Sequence, residues 1–467
     1  MFARSASQNS THSQRRHPSR FETSKKLLAR LVLVSGLIAF AGIEQAFAVP
    51  SFAEQTGLPC AACHVGGLGP QLLPLGREFK LNGYTDRAVD DSIPVAAMVI
   101  AAYLLTAKDQ AEKLAPHYPL NNIAALDEFA IFVAGGFGSH FGTFTEITYE
   151  GLDEKWTWDN LDLRAIAHTE FAGADLILGA TLNNSPTVQD AWNTLPTWGF
   201  PFTDSEFVPS PDAAPLIADA LAQNVLGLTA YGWWNDELYA EFGVYWSASR
   251  SLLENLGVDP GETGLLDHGA PYFRFAYQRD WGTQNASIGV FGLFAELFPE
   301  RDNSAGATDS YDDLGVDASY QWIGDDEDVL SVNARFIHER RALAASFVLG
   351  DALNRNTDLD EIRANISYYW DQTYGATIGV FRVWGDGDPL LYGDNRTGKP
   401  DSSGFTLQAD WTPFGKLDSA YAPWLNFRIG AQYTIYTEFN GTSTNYDGTG
   451  RDAADNNTLR IFTWLAI

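Results

Sequence analysis

The chain of 467 residues has only two cysteines and two methionines, and it is poor in positive charge. Two cysteines exclude a disulfide framework, so stability must come from packing and backbone pairing. With 30 Lys and Arg against 59 Asp and Glu, the chain lacks the basic surface that nucleic acid requires, and we expect no nucleic-acid partner. The most apolar stretch, residues 31–43, is too short to cross a membrane as a helix.

The first 48 residues have the pattern of an export signal. Basic residues within 15–30 precede the apolar run 31–43, and Ala46-Phe47-Ala48 supplies small residues for cleavage. We expect a signal peptide at 1–48 and a mature chain from Val49. Without the 7 basic and 2 acidic residues of that signal, 23 basic and 57 acidic residues remain, a net charge of −34. Such a charge suits cations or basic partner proteins, and its simpler interpretation is a solvated acidic surface.

Both cysteines stand in one motif, Cys60-Ala61-Ala62-Cys63-His64. This spacing is what covalent attachment of a c-type haem requires, because each thiol adds across a haem vinyl group and the adjacent imidazole becomes the proximal iron ligand. A redox dithiol would need a strand–loop–helix context, and a zinc site would need a second Cys/His pair. The sequence offers neither, so we expect one covalent haem c, held by Cys60, Cys63 and His64.

The segment that carries this motif is short. About forty residues follow the expected cleavage site before the pattern changes, too few to bury a haem in a core of their own. The sequence therefore divides into a signal peptide at 1–48, a mostly helical or coil haem segment at 49–90 and a larger domain at 91–467. Within the haem segment, residues 74–81 predict a helix that ends at Asn82-Gly83.

The larger domain alternates apolar and polar residues, which predicts strands with one face of each kind. For example, Phe405, Leu407, Ala409 and Trp411 alternate with Thr406, Gln408, Asp410 and Thr412. About sixteen segments follow this rule, near 93–107, 126–138, 141–150, 160–171, 174–183, 226–234, 238–247, 270–280, 284–296, 309–322, 328–341, 358–370, 373–384, 404–414, 424–440 and 457–467.

The connections between these segments alternate between short and long. An even strand number with short turns at one end and long loops at the other is typical of an outer-membrane β-barrel with periplasmic turns. We expect such an all-β antiparallel barrel of about sixteen strands, in contact with outer-membrane lipid, with both termini in the periplasm. The alternative is a soluble β-propeller or sandwich that carries a haem. Propeller strands are shorter and repeat four to a blade, a period that this chain lacks.

The longest connection, residues 184–225, contains Trp192, Trp198 and five prolines from Pro196 to Pro215. Its segment 216–222 is rich in alanine and predicts a short helix. A loop this long and aromatic is expected to fold into the barrel and narrow the lumen, the alternative being a lid over the rim.

The run PSFAEQTGLPCAACHVGGLGPQLLPLGREFKLNGY, residues 50–84, followed by a barrel-like remainder, resembles the fused monohaem cytochrome–porins of Gram-negative outer membranes. That group includes outer-membrane cytochromes of iron-oxidising bacteria. The resemblance implies this architecture, extracellular electron transfer, haem attachment at Cys60 and Cys63, and His64 as proximal ligand. It supplies no sixth ligand.

Candidates for the sixth ligand are Met98, His168 and His140, in that order. Met98 is the only methionine after the signal peptide, and the strand pattern places it on the lumen side near the turns, where a packing role is nearly as well supported. His168 is expected to face the lumen and His140 to lie in a turn. The remaining histidines, His117, His268 and His338, are expected in outer loops or on the outer wall.

Two functions of different classes fit these features. The first is an electron conduit between an extracellular donor or acceptor and periplasmic c-type cytochromes; the second is a solute porin with the haem segment as plug. A soluble haem enzyme is a weaker third, because no distal acid–base pair is recognisable. One haem cannot span a hydrocarbon layer of about 30 Å, so the conduit needs a small soluble redox partner that enters the lumen or its mouth.

Dissolved Fe(II) is the leading donor in this hypothesis. Acidic outer loops raise the local concentration of divalent cations and offer hard oxygen ligands. The acidic residues expected there include Asp153, Glu154, Asp159, Glu254, Asp259, Glu262, Glu300, Asp302, Asp386, Asp388 and Asp394.

Overall fold

The structure is a computed structural model. It describes residues 50–88, 94–218, 220–260, 264–325, 327–421 and 424–467. The expected signal peptide at 1–48 and the start at Val49 lie outside these residues. No helix among the described residues is long and apolar enough to cross a membrane.

Seventeen strands make one antiparallel sheet, sixteen of them long. The two-residue β8 pairs with the end of β10, in line with β9. The strands are β1 Val95–Thr106, β2 Ile123–Phe137, β3 Phe141–Glu150, β4 Lys155–Phe171, β5 Ala174–Asn183, β6 Val225–Trp234, β7 Leu238–Ser247, β8 Leu265–Leu266, β9 Ala270–Asp280, β10 Gln284–Phe298, β11 Asp309–Ile323, β12 Val329–Leu343, β13 Asn356–Trp370, β14 Tyr374–Gly385, β15 Ser402–Trp411, β16 Asn426–Glu438 and β17 Thr458–Ala466.

The sheet closes on itself, because β1 pairs with β2 on one side and with β17 on the other. The predicted barrel of about sixteen antiparallel strands is therefore confirmed. Tight turns lie at one end, where β1 begins and β17 ends, and long loops lie at the other. Two connections are exceptions: 412–425 is a longer segment at the tight-turn end between β15 and β16, and 151–154 is a four-residue turn at the other end between β3 and β4.

Most of the wall has an apolar outer face and a polar inner face. In β15, Phe405, Leu407 and Trp411 are 41–45% exposed on the outside, whereas Gln408 and Asp410 are buried inside. The same alternation of burial runs through β13 and β14, whereas the inward side chains of β1, such as Met98 and Ile100, are apolar. A barrel with an apolar belt and a polar interior suits a lipid surroundings, because all backbone groups are paired within the wall.

The third long loop, residues 184–224, fills the lumen. Its Thr194 hydroxyl donates to Asp317 of β11, its Ser205 hydroxyl donates to Asp127 of β2, and its Pro209 carbonyl accepts from Tyr436 of β16. These partners lie on different sides of the barrel, so the loop crosses the whole lumen. The predicted inward fold is confirmed.

The predicted helix in this loop is wrong: only a 3-10 turn, Leu216–Ala218, forms. The N–H groups of Leu216 and Ile217, which open this turn and have no partner within it, donate to Glu339 and Asp313 of the barrel wall. The other 3-10 turns are Cys60–Ala62, Val65–Gly67, Pro196–Trp198, Pro299–Arg301 and Ala453–Asn456, and the α-helices are α1 Pro50–Thr56, α2 Pro74–Leu81, α3 Arg250–Asn255 and α4 Ala344–Leu349.

The N-terminal segment, residues 50–88, sits inside the tight-turn end of the barrel. Helix α2 has the predicted bounds and ends at Asn82, whose N–H donates to the Glu78 carbonyl. The Leu81 carbonyl accepts from Tyr231 of β6, and the amide of Gln55 bonds with the N–H of Gly136 in β2. The barrel thereby provides the cover that a segment of this size cannot provide for itself.

Candidate functional site

The motif at 60–64 forms a single helical turn. Pro59 precedes it in extended conformation, and the N–H groups of Cys63 and His64 both donate to the Cys60 carbonyl, at 3.1 and 2.9 Å. A spacing of three residues in such a turn places the two cysteines on the same side. Cys60, Cys63 and His64 each keep part of their surface accessible. Two thiols and an imidazole are therefore presented from one short turn.

The imidazole of His64 is held in one tautomer. Its Nδ1 lies 2.6 Å from the Gly69 carbonyl oxygen, which can only accept, so Nδ1 carries the hydrogen and Nε2 keeps its lone pair. Burial lowers the pKa of His64, the bond to the Gly69 carbonyl partly opposes this and the nearby Arg428 adds to it, so that the pKa is about 4. A neutral imidazole whose Nε2 is oriented and unprotonated can bind a metal ion.

The two thiols have the opposite character to a redox dithiol. Burial raises the pKa of Cys60, and burial together with the neighbouring Cys60 raises the pKa of Cys63 to about 11. Redox-active CxxC pairs need a lowered thiol pKa. Among the described residues, two groups of three acidic or histidine side chains bring their ligand atoms within 4.8 Å of one another. Neither group contains a cysteine or His64. The structure therefore favours neither a redox pair nor a zinc site here.

The barrel wall forms hydrogen bonds with the backbone that follows the motif. Gln372, in the turn between β13 and β14, accepts from the N–H of Gly66, and Arg428 of β16 donates to the Gly66 carbonyl at 3.0 Å. Asn426 donates to the carbonyl of Gly67. These contacts fix the turn 65–69, and with it the carbonyl that orients His64.

Gly66 allows the segment to come this close to the wall. Its φ is +69°, and a Cβ built on it would overlap the ring of Tyr369. Tyr369 is itself buried and donates to Asp410 at 2.8 Å, so it cannot easily move aside. The position therefore requires glycine both for its backbone conformation and for its lack of a side chain.

These wall residues were not predicted from the sequence. Asn426 and Arg428 belong to the polar face of a predicted strand, but more than 350 residues separate them from the motif along the chain. Alternation shows which side chains point inward and not what they meet there. The signal that was available is the buried charge of Arg428, since an inward arginine needs a partner.

The structure places Met98 on the lumen side of β1, as predicted, 8% exposed. It belongs to an apolar cluster with Trp464 of β17, and Leu68 of the N-terminal segment packs against the same cluster. A Cβ on Gly69 would be 3.4 Å from the Trp464 ring, so this cluster adjoins the turn that orients His64. The cluster that contains Met98 therefore adjoins the turn after the motif.

The histidines behave differently. His168 lies at the exposed tight-turn end of β4. Burial raises the pKa of the Asp86 carboxylate, and His168 lies close enough to offset part of that rise. His140, in the predicted turn, bonds through Nδ1 with the Ile166 carbonyl at 3.2 Å. His338 pairs with Asp360 on the outer face, as expected, and His117 and His268 lie in long loops beside Glu154 and Asp267.

The expected acidic outer loops need two corrections. Asp388 is fully buried, and its carboxylate accepts from the N–H groups of Leu353, Asn354, Leu390 and Leu391, so it holds loops together rather than facing cations. Asp159 lies within β4, where its oxygens come within 4.8 Å of those of Glu128 and Glu146. Glu262 lies outside the described residues.

Lys80 joins the N-terminal segment to the third loop. Its Nζ donates to the Val188 carbonyl at 2.9 Å and to Asn193 Oδ1 at 2.8 Å, and it lies 5.0 Å from the centre of the Trp198 ring. Burial, followed by the nearby Arg164, lowers the pKa of Lys80 to about 7. The two segments that fill the lumen are thus bonded to each other.

No family model and no curated protein matches the chain. Among solved structures, it is similar to OprB of Pseudomonas putida, at 13% identity and a TM-score of 0.47 over 80% of this chain and 92% of that one. It is also similar to DcaP of Acinetobacter baumannii and OmpT of Vibrio cholerae, each at 10% identity over 80% of this chain and 96% of the other, with TM-scores of 0.42 and 0.41. The likeness is to the barrel alone.

Proposed function

We propose that this chain is an outer-membrane electron-transfer protein that carries one covalent haem c in a segment plugged into the periplasmic end of its barrel. The observation that carries the proposal is the state of the motif 60–64. Its thiols stand on one side of a helical turn, and Nδ1 of His64 is tied to a carbonyl so that Nε2 is available. This donor set fits haem c and fits a redox dithiol or zinc poorly.

A bound haem would supply a one-electron couple at the periplasmic end of the barrel. Cys60 and Cys63 would hold it through thioethers and His64 through Nε2. Arg428, Asn426 and Gln372 keep the turn 65–69 in place and so fix the orientation of the imidazole. The barrel wall excludes water from the inner side of that turn, which favours the neutral form of His64.

Met98 is our proposal for the sixth ligand. It is the methionine whose apolar cluster adjoins the motif turn, and thioether ligation raises the potential of c-type haems. A potential raised in this way suits a mildly reducing donor such as dissolved Fe(II).

The filled lumen changes the route expected for that donor. Inward-facing side chains such as Asp162, Glu241 and Glu361 are fully buried, and the third loop crosses above the N-terminal segment. A dissolved donor therefore has to pass the third loop through the mouth of the barrel to come near the haem, because one haem cannot by itself span a layer of about 30 Å. Periplasmic c-type cytochromes complete the path at the tight-turn end.

A second candidate function is solute conduction, favoured by the closed barrel of sixteen long strands with a polar interior. Conduction in this barrel requires that the N-terminal segment or the third loop leave the lumen. The two functions therefore differ in whether the lumen opens.

Reconstituted vesicles distinguish the two. The protein is inserted into liposomes that enclose an oxidised acceptor protein and a small trapped dye, and dissolved Fe(II) is added outside under anoxic conditions. The conduit reduces the enclosed acceptor while the dye stays inside. Dye release without reduction would establish the channel, and reduction only by a neutral or anionic donor would remove iron from the proposal.

A further inference from the structure

The tight-turn end of the barrel and the N-terminal segment form one continuous surface. The segment bonds to the wall at Gln372, at Tyr231 and at Gly136, which lie on different sides of the barrel. We call this surface the tight-turn face; it comprises the exposed part of residues 50–88 and the connections 138–140, 172–173, 235–237, 281–283, 324–328, 371–373 and 412–425, with the strand ends beside them.

Carboxylates dominate the described residues of this face. Twelve acidic side chains stand against three basic ones, Arg87, Arg279 and Lys416. Two of these basic residues already pair within the face, Arg279 with Glu237 and Lys416 with Asp371. The acidic residues are Glu78, Asp86, Glu170, Asp175, Asp236, Glu237, Asp280, Asp325, Glu327, Asp328, Asp371 and Asp418.

Carboxylates of the segment and of the barrel turns interact electrostatically. Burial raises the pKa of Glu78 in α2, and so do Asp236 from one turn, Asp86 from the segment and Asp280 from another turn. Mutual repulsion of this kind requires that the groups share one region. Glu78, Asp86, Asp236 and Asp280 are therefore neighbours, and the segment shares one acidic region with two of the barrel's strand ends.

Two apolar side chains of the N-terminal segment are exposed on the same face. Leu58 is 38% exposed and lies two residues before Cys60, and Leu75, on the first turn of α2, is 42% exposed. An apolar centre within a charged rim is the usual anatomy of a protein interface. A rim of one charge speeds encounter and orients the partner, and the centre supplies the contact.

The long-loop end differs. Its acidic residues are interspersed with basic ones that pair with them, including Lys108 with Asp455 at 2.8 Å and Lys155 with Asp153 at 2.7 Å. Acidic residues outnumber basic ones at this end too, but such ion pairs neutralise part of that charge, whereas the described residues of the tight-turn face include only three basic ones.

We propose that the tight-turn face is the docking site for a small soluble protein with a lysine-rich rim around an apolar patch, of the kind that basic electron-carrier proteins expose. The reason for docking rests on the proposed function, because Leu58 adjoins the haem-attachment motif. The attraction itself depends only on charge and shape. Docking and haem chemistry can therefore be tested separately.

The test uses the full chain in lipid nanodiscs and, as probe, a basic cytochrome c with lysines around its haem edge. The variant Glu170→Gln/Asp236→Asn/Asp325→Asn removes three charges from exposed turn residues. The matched control, Glu112→Gln/Asp351→Asn/Asp394→Asn, removes three exposed charges from the long loops. At low salt we expect an association rate about tenfold lower for the turn variant, and no more than a twofold change for the control.

Two further arms complete the test. The probe with its lysines succinylated should not bind, and raising the salt concentration should abolish binding of the native probe. The haemless variant Cys60→Ala/Cys63→Ala should bind as the parent does, so a failure of the haem proposal would leave this result standing. Equal loss in both charge variants, or equal binding of the succinylated probe, would overturn the docking site.

Discussion

Two segments fill the barrel, and the wall holds them in different ways. The N-terminal segment is held mainly through its backbone, as when Gln372 and Arg428 bond the peptide groups of Gly66. The third loop is also held through backbone groups, as at Leu216 and Ile217, but it adds a buried ion pair of Asp190 with Arg274, which also pairs with Asp317 at 2.9 Å. A segment held by its backbone tolerates many side chains but needs glycine at close contacts. A segment held by ion pairs depends on each charge.

The largest effect is expected at the ion pairs of the third loop. Arg274→Met leaves the buried carboxylates of Asp190 and Asp317 without their arginine, which should cost about 3–5 kcal/mol of unfolding free energy. Urea titration of the folded protein in lipid vesicles, followed by tryptophan fluorescence, measures it. The control Arg279→Met removes a half-exposed ion pair with Glu237 and should cost less than about 1 kcal/mol. Equal losses would show that the third loop does not depend on its buried charges.

The next effect is expected at the backbone contacts of the N-terminal segment. Gly66→Ala places a Cβ against the Tyr369 ring at a φ of +69° and should expel the turn 65–69. Gly173→Ala, at a φ of +79° with open space around it, carries only the backbone strain of about 1–2 kcal/mol. Limited proteolysis should cut the N-terminal segment of the first variant much faster than that of the second. Similar rates would mean that the close contact with the wall does not hold the segment.

A smaller effect is expected where the two segments meet. Lys80→Met leaves the Val188 carbonyl and Asn193 without their donor and should cost about 1–2 kcal/mol. The pKa of Lys80 is about 7 when folded against an ordinary 10.5, so the unfolded chain holds more protons between these values. Stability of the parent protein should consequently rise with pH across that window, by at most about 1.4 kcal/mol per pH unit. Urea titrations from pH 7 to 10 should show this rise in the parent and not in the variant; the same slope in both would assign it to another group.

The smallest effect on stability is expected at Met98. Met98→Leu keeps the volume of the side chain in its apolar cluster and should change the unfolding free energy by less than about 1.5 kcal/mol. If Met98 is the sixth ligand, the oxidised protein should lose its weak sulfur-to-iron band in the near-infrared. An unchanged band would move the ligand away from Met98, toward His168 or His140.

The alternation of apolar and polar residues predicted most of the strands. The bounds of Phe141–Glu150 and Ala174–Asn183 were predicted as the structure has them, since each strand begins directly after a tight turn. β4 begins at Lys155, five residues before its predicted start, because Asp159 and Asn160 are poor strand formers that only an enclosed polar lumen makes suitable.

The candidate site was predicted only in part. The assignment of Cys60, Cys63 and His64 to a haem follows from a local spacing and stays a prediction; their helical turn was not predicted. The tie between His64 and the Gly69 carbonyl, and the grip of Arg428 on Gly66, depend on contacts made after the barrel closes. An alternating pattern does not specify which inward-facing residue contacts which segment. These contacts were therefore beyond the sequence.

The central claim is that Cys60 and Cys63 hold a haem covalently. The full chain, produced with c-type cytochrome maturation and purified from outer membranes, can be measured by intact mass and by the absorbance of its reduced pyridine derivative. We expect the intact mass to equal that of the chain plus one haem, and the pyridine spectrum to be that of a haem with both vinyl groups saturated. The variant Cys60→Ala/Cys63→Ala should lose both the added mass and this spectrum. An unmodified mass with two free thiols, from cells that mature other c-type cytochromes, would contradict the account.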